Sequence, residues 1–194
     1  MSDPRVWGAT AAERDSPFGC DALGFVHDDA YFRALDVAAP PELVYRWLCQ
    51  LRVAPYSYDW LDNFGRRSPR ERDARNERIA PGQRMMTLFE LVRFRRGREL
   101  TVRCASRAYA AVAGDLAGSY RVDPRSGGVR LIAKVLIRYP GGPLRVPLRA
   151  AIPWLDLIMF RKQLRTLRAL AEREARGGLV CGPDALPARR RRRG

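Results

Sequence analysis

"LDVAAPPELVYRWL", residues 35–48, changes period in the middle. Before it, residues 31–37 (YFRALDV) read as a β-strand rich in aromatic and β-branched side chains. After it, Pro41 suits the first turn of a helix and Glu42 complements the helix dipole there. Val44, Trp47, Leu48 and Leu51 then fall on one helical face, and Pro55 breaks the helix. A strand thus feeds directly into a proline-led amphipathic helix.

Downstream, "PYSYDWLDNF" predicts a second short helix over residues 56–64, closed by Gly65 at the C′ position. Residues 68–82 (SPRERDARNERIAPG) read as an exposed loop. The period then becomes two, predicting strands over residues 84–94, 98–106, 115–123 and 129–139. In the last, Val129, Leu131, Ala133, Val135 and Ile137 alternate with Arg130, Ile132, Lys134, Leu136 and Arg138. "RRG" (95–97) and "DPRSGG" (123–128) supply turns, so the sheet is mainly antiparallel. A long helix follows over about residues 154–175, with a stripe of Leu157, Phe160, Leu164, Leu167 and Ala171. Burying its four large members contributes about 6–12 kcal/mol before entropy is subtracted.

The order is strand, two short helices, antiparallel strands, long helix. It predicts an α+β fold in which a curved antiparallel sheet wraps a long C-terminal helix, with a cavity between them suited to a small apolar molecule. Residues 1–28 show no sustained period and are expected to form a poorly ordered extension. Residues 29–176 form the domain, and residues 177–194 a flexible arginine-rich tail.

"LDVAAPPELVYRWL" resembles the opening of the START-like, or SRPBCC, superfamily, which includes polyketide cyclase/dehydrase-like proteins and lipid carriers. "WLDLIMFRKQLRTLRALAE" (154–172) is similar to the closing helix of its helix-grip fold. "QLRVAPYSYDWLDNFGRRSPR" (50–70) resembles a block found in a bacterial, polyketide-cyclase-like branch. The resemblance spans roughly residues 30–175. It implies the helix-grip fold and a hydrophobic pocket under the long helix, but no single activity, because one fold hosts many functions.

The chain carries a net charge of +15, almost all of it arginine; Lys134 and Lys162 are its lysines. Arg189 to Arg193 supply five of those charges. Such a chain attracts anions, and nonspecific anion contact through the tail is one expectation, although a terminal charge run is ordinarily only solvated. No apolar run reaches membrane-spanning length and the start has no signal-peptide pattern, so a cytoplasmic location is expected. Cys20, Cys49, Cys104 and Cys181 form no CxxC pair, and His27 is the single histidine. Histidine triads, multi-histidine metal centres and zinc sites are therefore not expected, and no cofactor is implied. Nucleotide-binding glycine motifs and the GxSxG elbow are absent.

The site candidates are carboxylates, tyrosines and arginines. Tyr58, Asp59 and Asp62 could border the pocket mouth with Trp60. In the plainer reading, Trp60, Leu61 and Phe64 dock inward and the polar groups cap helix ends. Glu90 shares a strand face with Met86, Leu88, Val92 and Phe94; facing the cavity, it would be a desolvated acid–base group. The opposite register, with Met85, Phe89 and Leu91 inward and Glu90 in water, is preferred. Tyr120 alternates with Leu116 and Val122, so it faces inward and its hydroxyl needs a partner. Asp156 and Gln163 edge the stripe of the long helix; Asp156 also complements the dipole. Arg161 flanks the stripe and could reach an acidic group. The expected ligand-binding set is Tyr58, Trp60, Asp62, Glu90, Tyr120, Leu157, Phe160, Arg161 and Leu164; the acid–base candidates are Glu90, Tyr120 and Asp156.

Three functions follow in order of preference. The first is a carrier or sequestering module for a small hydrophobic, lipid- or polyketide-like ligand. The second is a cyclase- or dehydratase-like enzyme using carboxylate or tyrosine groups. The third is anionic-surface association through Arg189 to Arg193 and the Arg161/Arg165/Arg168 flank.

Overall fold

The computed structural model describes residues 3–58, 60, 65–143 and 145–180. Asp59, Leu61, Asp62, Asn63, Phe64, Cys181 and Arg189 to Arg193 lie outside the described residues, as does most of the second short helix expected over 56–64.

The elements run β1 (Val6–Trp7), α1 (Ala11–Asp15), β2 (Asp29–Val37), α2 (Pro41–Cys49), β3 (Arg84–Met85), β4 (Phe89–Arg95), β5 (Glu99–Cys104), α3 (Arg107–Ala113), β6 (Asp115–Arg125), β7 (Gly128–Arg138) and α4 (Arg145–Val180). Among the described residues, seven strands form one open, curved sheet in the order β1-β2-β7-β6-β5-β4-β3. Every pairing is antiparallel except β1 with β2, which is parallel and makes the sheet mixed. The helix-grip reading therefore holds, with an additional edge strand. No helix among the described residues is long and apolar enough to cross a membrane.

The concave face holds the main core. Leu35 and Val37 of β2, Leu131 and Ala133 of β7, Val122 of β6 and Leu100 of β5 pack with Leu164, Leu167, Leu170 and Ala171 of α4. Helix α2 closes one end through Val44, Trp47 and Leu48, the set its sequence spacing predicts.

Two elements depart from expectation for local reasons. The strand expected over 84–94 is broken by a tight turn in which the Leu88 N–H donates to the Met86 carbonyl at 2.7 Å. Met86 and Thr87 there have φ of 45° and 65°, costly for side chains with a Cβ. A bulge between Leu91 and Arg93 shifts the alternation, so Leu91 is buried and Phe94 packs on the core. Helix α4 begins at Arg145 rather than near Trp154 and continues through Pro153, which forfeits one backbone hydrogen bond.

The convex face is covered as well. Residues 1–28, expected as a poorly ordered extension, are over their described part bonded to the sheet. Thr10 and Glu13 form a reciprocal capping box at α1. Phe18 and Cys20 pack on Phe32, Ala34, Ala117, Ile132 and Leu136. Cys20 is fully buried and its N–H donates to Ser119 Oγ at 2.9 Å. Arg130 donates to Glu13 at 2.8 Å and to Asp36 at 3.2 Å; Lys134 donates to Asp21 at 2.6 Å. Gly8, at φ 73°, lets this segment cross β2: a Cβ there would stand 2.1 Å from the Ala34 carbonyl oxygen.

Candidate functional site

The space between sheet and α4 has two unlike halves. Beneath the later half of α4 it is filled by the protein itself. Tyr120 stacks on Phe160 with ring centroids 5.9 Å apart. The Tyr120 hydroxyl donates to Gln163 Oε1 at 2.8 Å, and Gln163 Nε2 donates to the Pro55 carbonyl at 2.7 Å. Met86 Sδ lies 3.4 Å from the same Nε2. Burial raises the Tyr120 hydroxyl well above the usual phenol range, so it stays protonated. Its partner is thus a side chain of the protein.

The earlier half is polar at its centre. The alternation of β2 turns Tyr31, Arg33, Leu35 and Val37 to the concave side. Arg33 has 0% exposure, and its Nη2 donates to Asp156 Oδ2 of α4 at 2.7 Å. Its Nη1 donates to the carbonyls of Arg5 at 2.7 Å and Phe32 at 3.0 Å. Its Nε is buried with no hydrogen-bond partner among the described residues. Beside it, the Tyr31 and Tyr139 hydroxyls are 2.5 Å apart, and Tyr139 donates to Asp29 at 2.9 Å. Since the Tyr139 proton points to Asp29, Tyr31 is the donor to Tyr139. Asp29 also accepts from Arg5 at 3.2 Å.

Charge and burial compete at Asp156. Removal from water raises its carboxyl to about 6, although Arg33 pulls the other way. The same burial lowers Arg33, with Asp156 offsetting part of the effect. A carboxyl poised near neutrality beside a fixed guanidinium can hold or release a proton, and the orphan Nε offers one further donor. The surroundings are apolar: Leu116, Leu148, Ile152 and Phe160 pack on the Tyr31, Val135, Ile137 and Tyr139 cluster and are only partly buried. On the outer side of the same stretch of α4, Trp154, Leu155 and Ile158 are 42–52% exposed.

Of the residues expected from sequence, Tyr120, Asp156, Phe160 and Leu164 come together under α4, and Leu157 is partly buried. Others do not. Trp60 is 74% exposed; Tyr56, not Trp60, is the buried anchor of its stretch, set edge-on to Trp47 at 6.1 Å. Glu90 is exposed on β4, in the preferred register with Leu91 inward. Arg161 lies over the Trp7 ring at 5.4 Å, as Arg165 does at 5.6 Å. Arg168 pairs with Glu172. Tyr58 is half-buried. Sequence reasoning missed Arg33, although its place between Tyr31 and Leu35 in a strict alternation was visible.

Two open clefts lie elsewhere. One, of about 620 Å³, runs between the start of α2 and the later part of α4, past Pro41, Arg46, Arg72, Arg125 and Glu174. The other, of about 480 Å³, is lined by Arg52, Val53, Arg66, Asn76, Gln83, Arg84 and Thr87.

No protein-family profile matches this chain, and no curated protein matches it in sequence. Solved structures do match. A solution structure of a Thermobifida fusca protein aligns with a TM-score of 0.50 at 16% identity, covering 76% of this chain and 93% of that one. The Zhui aromatase/cyclase from a Streptomyces species gives 0.49 at 14% identity, over 77% and 97%. The di-domain aromatase/cyclase StfQ of the steffimycin pathway gives 0.48 at 13%, over 75% and 51%. At these identities the likeness is one of fold alone.

Proposed function

We propose that this chain binds a small, largely apolar molecule bearing one anionic or carbonyl oxygen group, held between the sheet and the first half of α4, as a carrier or sequestering module. The observation that carries the reading is Arg33, a wholly buried guanidinium with one carboxylate partner, Asp156, and with its Nε unpartnered among the described residues. Burying a charge is costly, and leaving one of its donors unmet adds to the cost. A ligand oxygen at that Nε would recover it, while Leu157, Ile152 and Leu116 would cover the apolar remainder.

The test is a thermal-shift and native mass-spectrometry screen of lipophilic carboxylic acids and ketones against alkanes and alcohols of equal length. The acids and ketones should stabilise the protein, and Arg33→Met should abolish that preference. Equal stabilisation by the alkanes, or none by any probe, would reject the reading.

A second reading, a cyclase- or dehydratase-like enzyme, is favoured by one observation, the Asp156 carboxyl raised to about 6 beside Arg33. Its acid–base role predicts turnover of a bound polyketide-like substrate that depends on an ionisation near pH 6 and is lost in Asp156→Asn. Turnover that persists unchanged in that variant would remove it. Anionic-surface association is the third. Arg161, Arg165 and Arg168 are already engaged with Trp7 and Glu172, so it would depend on Arg189 to Arg193.

A further inference from the structure

Both of these clefts are lined by three arginines, but those arginines are held differently. In the cleft beside α2, Arg46 pairs with Glu77 at 3.6 Å, Arg72 is forked between Glu77 and Glu174, and Arg125 pairs with Glu13 at 3.2 Å. These are internal braces. In the cleft beside the Met86–Thr87 turn no described lining residue is acidic. Arg52 and Arg84 make no ion pair among the described residues. Glu90 is the cross-strand neighbour of Arg84, yet the two are not paired.

The remaining lining is built rather than loose. Asn76 Nδ2 donates to Gln50 Oε1 at 3.0 Å, and Gln83 Oε1 accepts from the Ala80 N–H at 3.0 Å. Thr87 sits at the strained point of the turn, with φ 65°. Strain at a polar concavity is one mark of a recognition site. The Met86 N–H donates to the Leu51 carbonyl at 2.8 Å, which ties the turn to the segment carrying Arg52. The cleft therefore holds guanidinium forks, a hydroxyl and amides on a braced frame, the donor set that suits a tetrahedral oxyanion.

We propose that this cleft binds the phosphate group of an anionic ligand, with Arg52 and Arg84 as its principal donors. The site is separate from the one under α4.

Isothermal titration with inorganic pyrophosphate, at fixed low ionic strength, tests it. Arg52→Gln and Arg84→Gln should each weaken binding by about ten-fold or more. Glu90→Gln, which removes a like charge to the ligand, should tighten it. Arg14→Gln, an exposed arginine of α1 outside the cleft, should leave it within about two-fold. Circular dichroism melts of the four variants should match the parent, since all four side chains lie away from the core. A parallel flotation assay uses phosphatidylcholine vesicles with and without phosphatidic acid. Pyrophosphate binding with the variant pattern above assigns a soluble phosphate ligand. Binding of phosphatidic acid vesicles alone, lost in the same two variants, assigns a lipid-borne phosphate. Binding that falls equally in Arg14→Gln would overturn the proposal, because it would reflect only the net charge, as would failure to bind either probe.

Discussion

Arg33 and Arg130 sit on adjacent strands of one sheet, both buried, facing opposite ways. Arg130, on the convex side, is surrounded by acceptors: Glu13, Asp36 and the Gly8 carbonyl. Burial would raise the Glu13 carboxyl, but the bonds from Arg130 and Thr10 outweigh it and hold the group below its usual range. Arg33, on the concave side, has one carboxylate partner that is itself lifted to about 6, and an Nε with none. The convex ion pair is a finished joint. The concave pair leaves one buried donor unmet among the described residues.

The comparison can be broken most directly by removing one side of it. Deleting residues 1–27 strips the cover from Phe32, Ala34, Ile132 and Leu136 and leaves Arg130 and Lys134 without Glu13 and Asp21. The loss should be on the order of 5 kcal/mol or more, read as lost cooperativity in urea unfolding and aggregation on size-exclusion chromatography. A cooperative, monodisperse truncated protein would mean that the convex face needs no cover.

Next come the arginines themselves. Arg33→Met and Arg130→Met should each cost about 3–5 kcal/mol at pH 8, because each strands a carboxylate. Their pH dependence should differ. Without Arg33, Asp156 takes up a proton even more readily than at its present value of about 6, so the cost shrinks as pH falls towards 6. Glu13 starts from a lowered value, so the Arg130→Met cost should persist to more acid pH. Urea titrations at pH 8 and pH 6 separate the two; parallel curves would refute the contrast.

The parent protein should show the same opposition more weakly. Asp156 binds its proton more tightly when folded, so its contribution to stability is present at low pH and is lost as pH rises from about 4 to about 6. Its full span is about 3 kcal/mol. Glu13 binds its proton less tightly when folded, so its contribution is present above the usual carboxylate range and is lost on acidification. Asp156→Asn and Glu13→Gln should each remove the corresponding slope from the pH–stability profile. Smallest of all, Thr10→Ala should cost about 1 kcal/mol through the lost cap of α1, with faster tryptic cleavage at Arg14 as its local sign.

The concave half of this picture was legible in the sequence because one rule governs it. Strand alternation from residue 129 to 137 and the stripe from Phe160 to Ala171 each need an apolar partner, and they are that partner for each other. The convex half was harder to read. Arg130, Lys134, Thr101 and Ser119 look like a solvent face, and only Phe32, Ile132 and Leu136 among them hint at a cover. What supplies the cover is a run of short, irregular pieces without a period, held by side chain–backbone bonds such as Glu99 to the Gly19 N–H. The site was partly legible: Asp156 stood out at the edge of its stripe, but its meaning depends on Arg33, far away in sequence. Trp60 and Arg161 misled because amphipathic side chains at the edge of a pattern can as readily face water or a surface ring.

Cys20 turns the convex joint into a clock. Its thiol lies wholly beneath residues 16–25, and burial pushes it up to about 11 despite the bond from Ser119. Alkylation at neutral pH must therefore wait for that strap to lift, while Cys49, buried in the main core and pushed up to about 12, waits for the whole domain to open. The ratio of the two reaction rates would count how often the back of the sheet is bared while its grip on α4 stays closed.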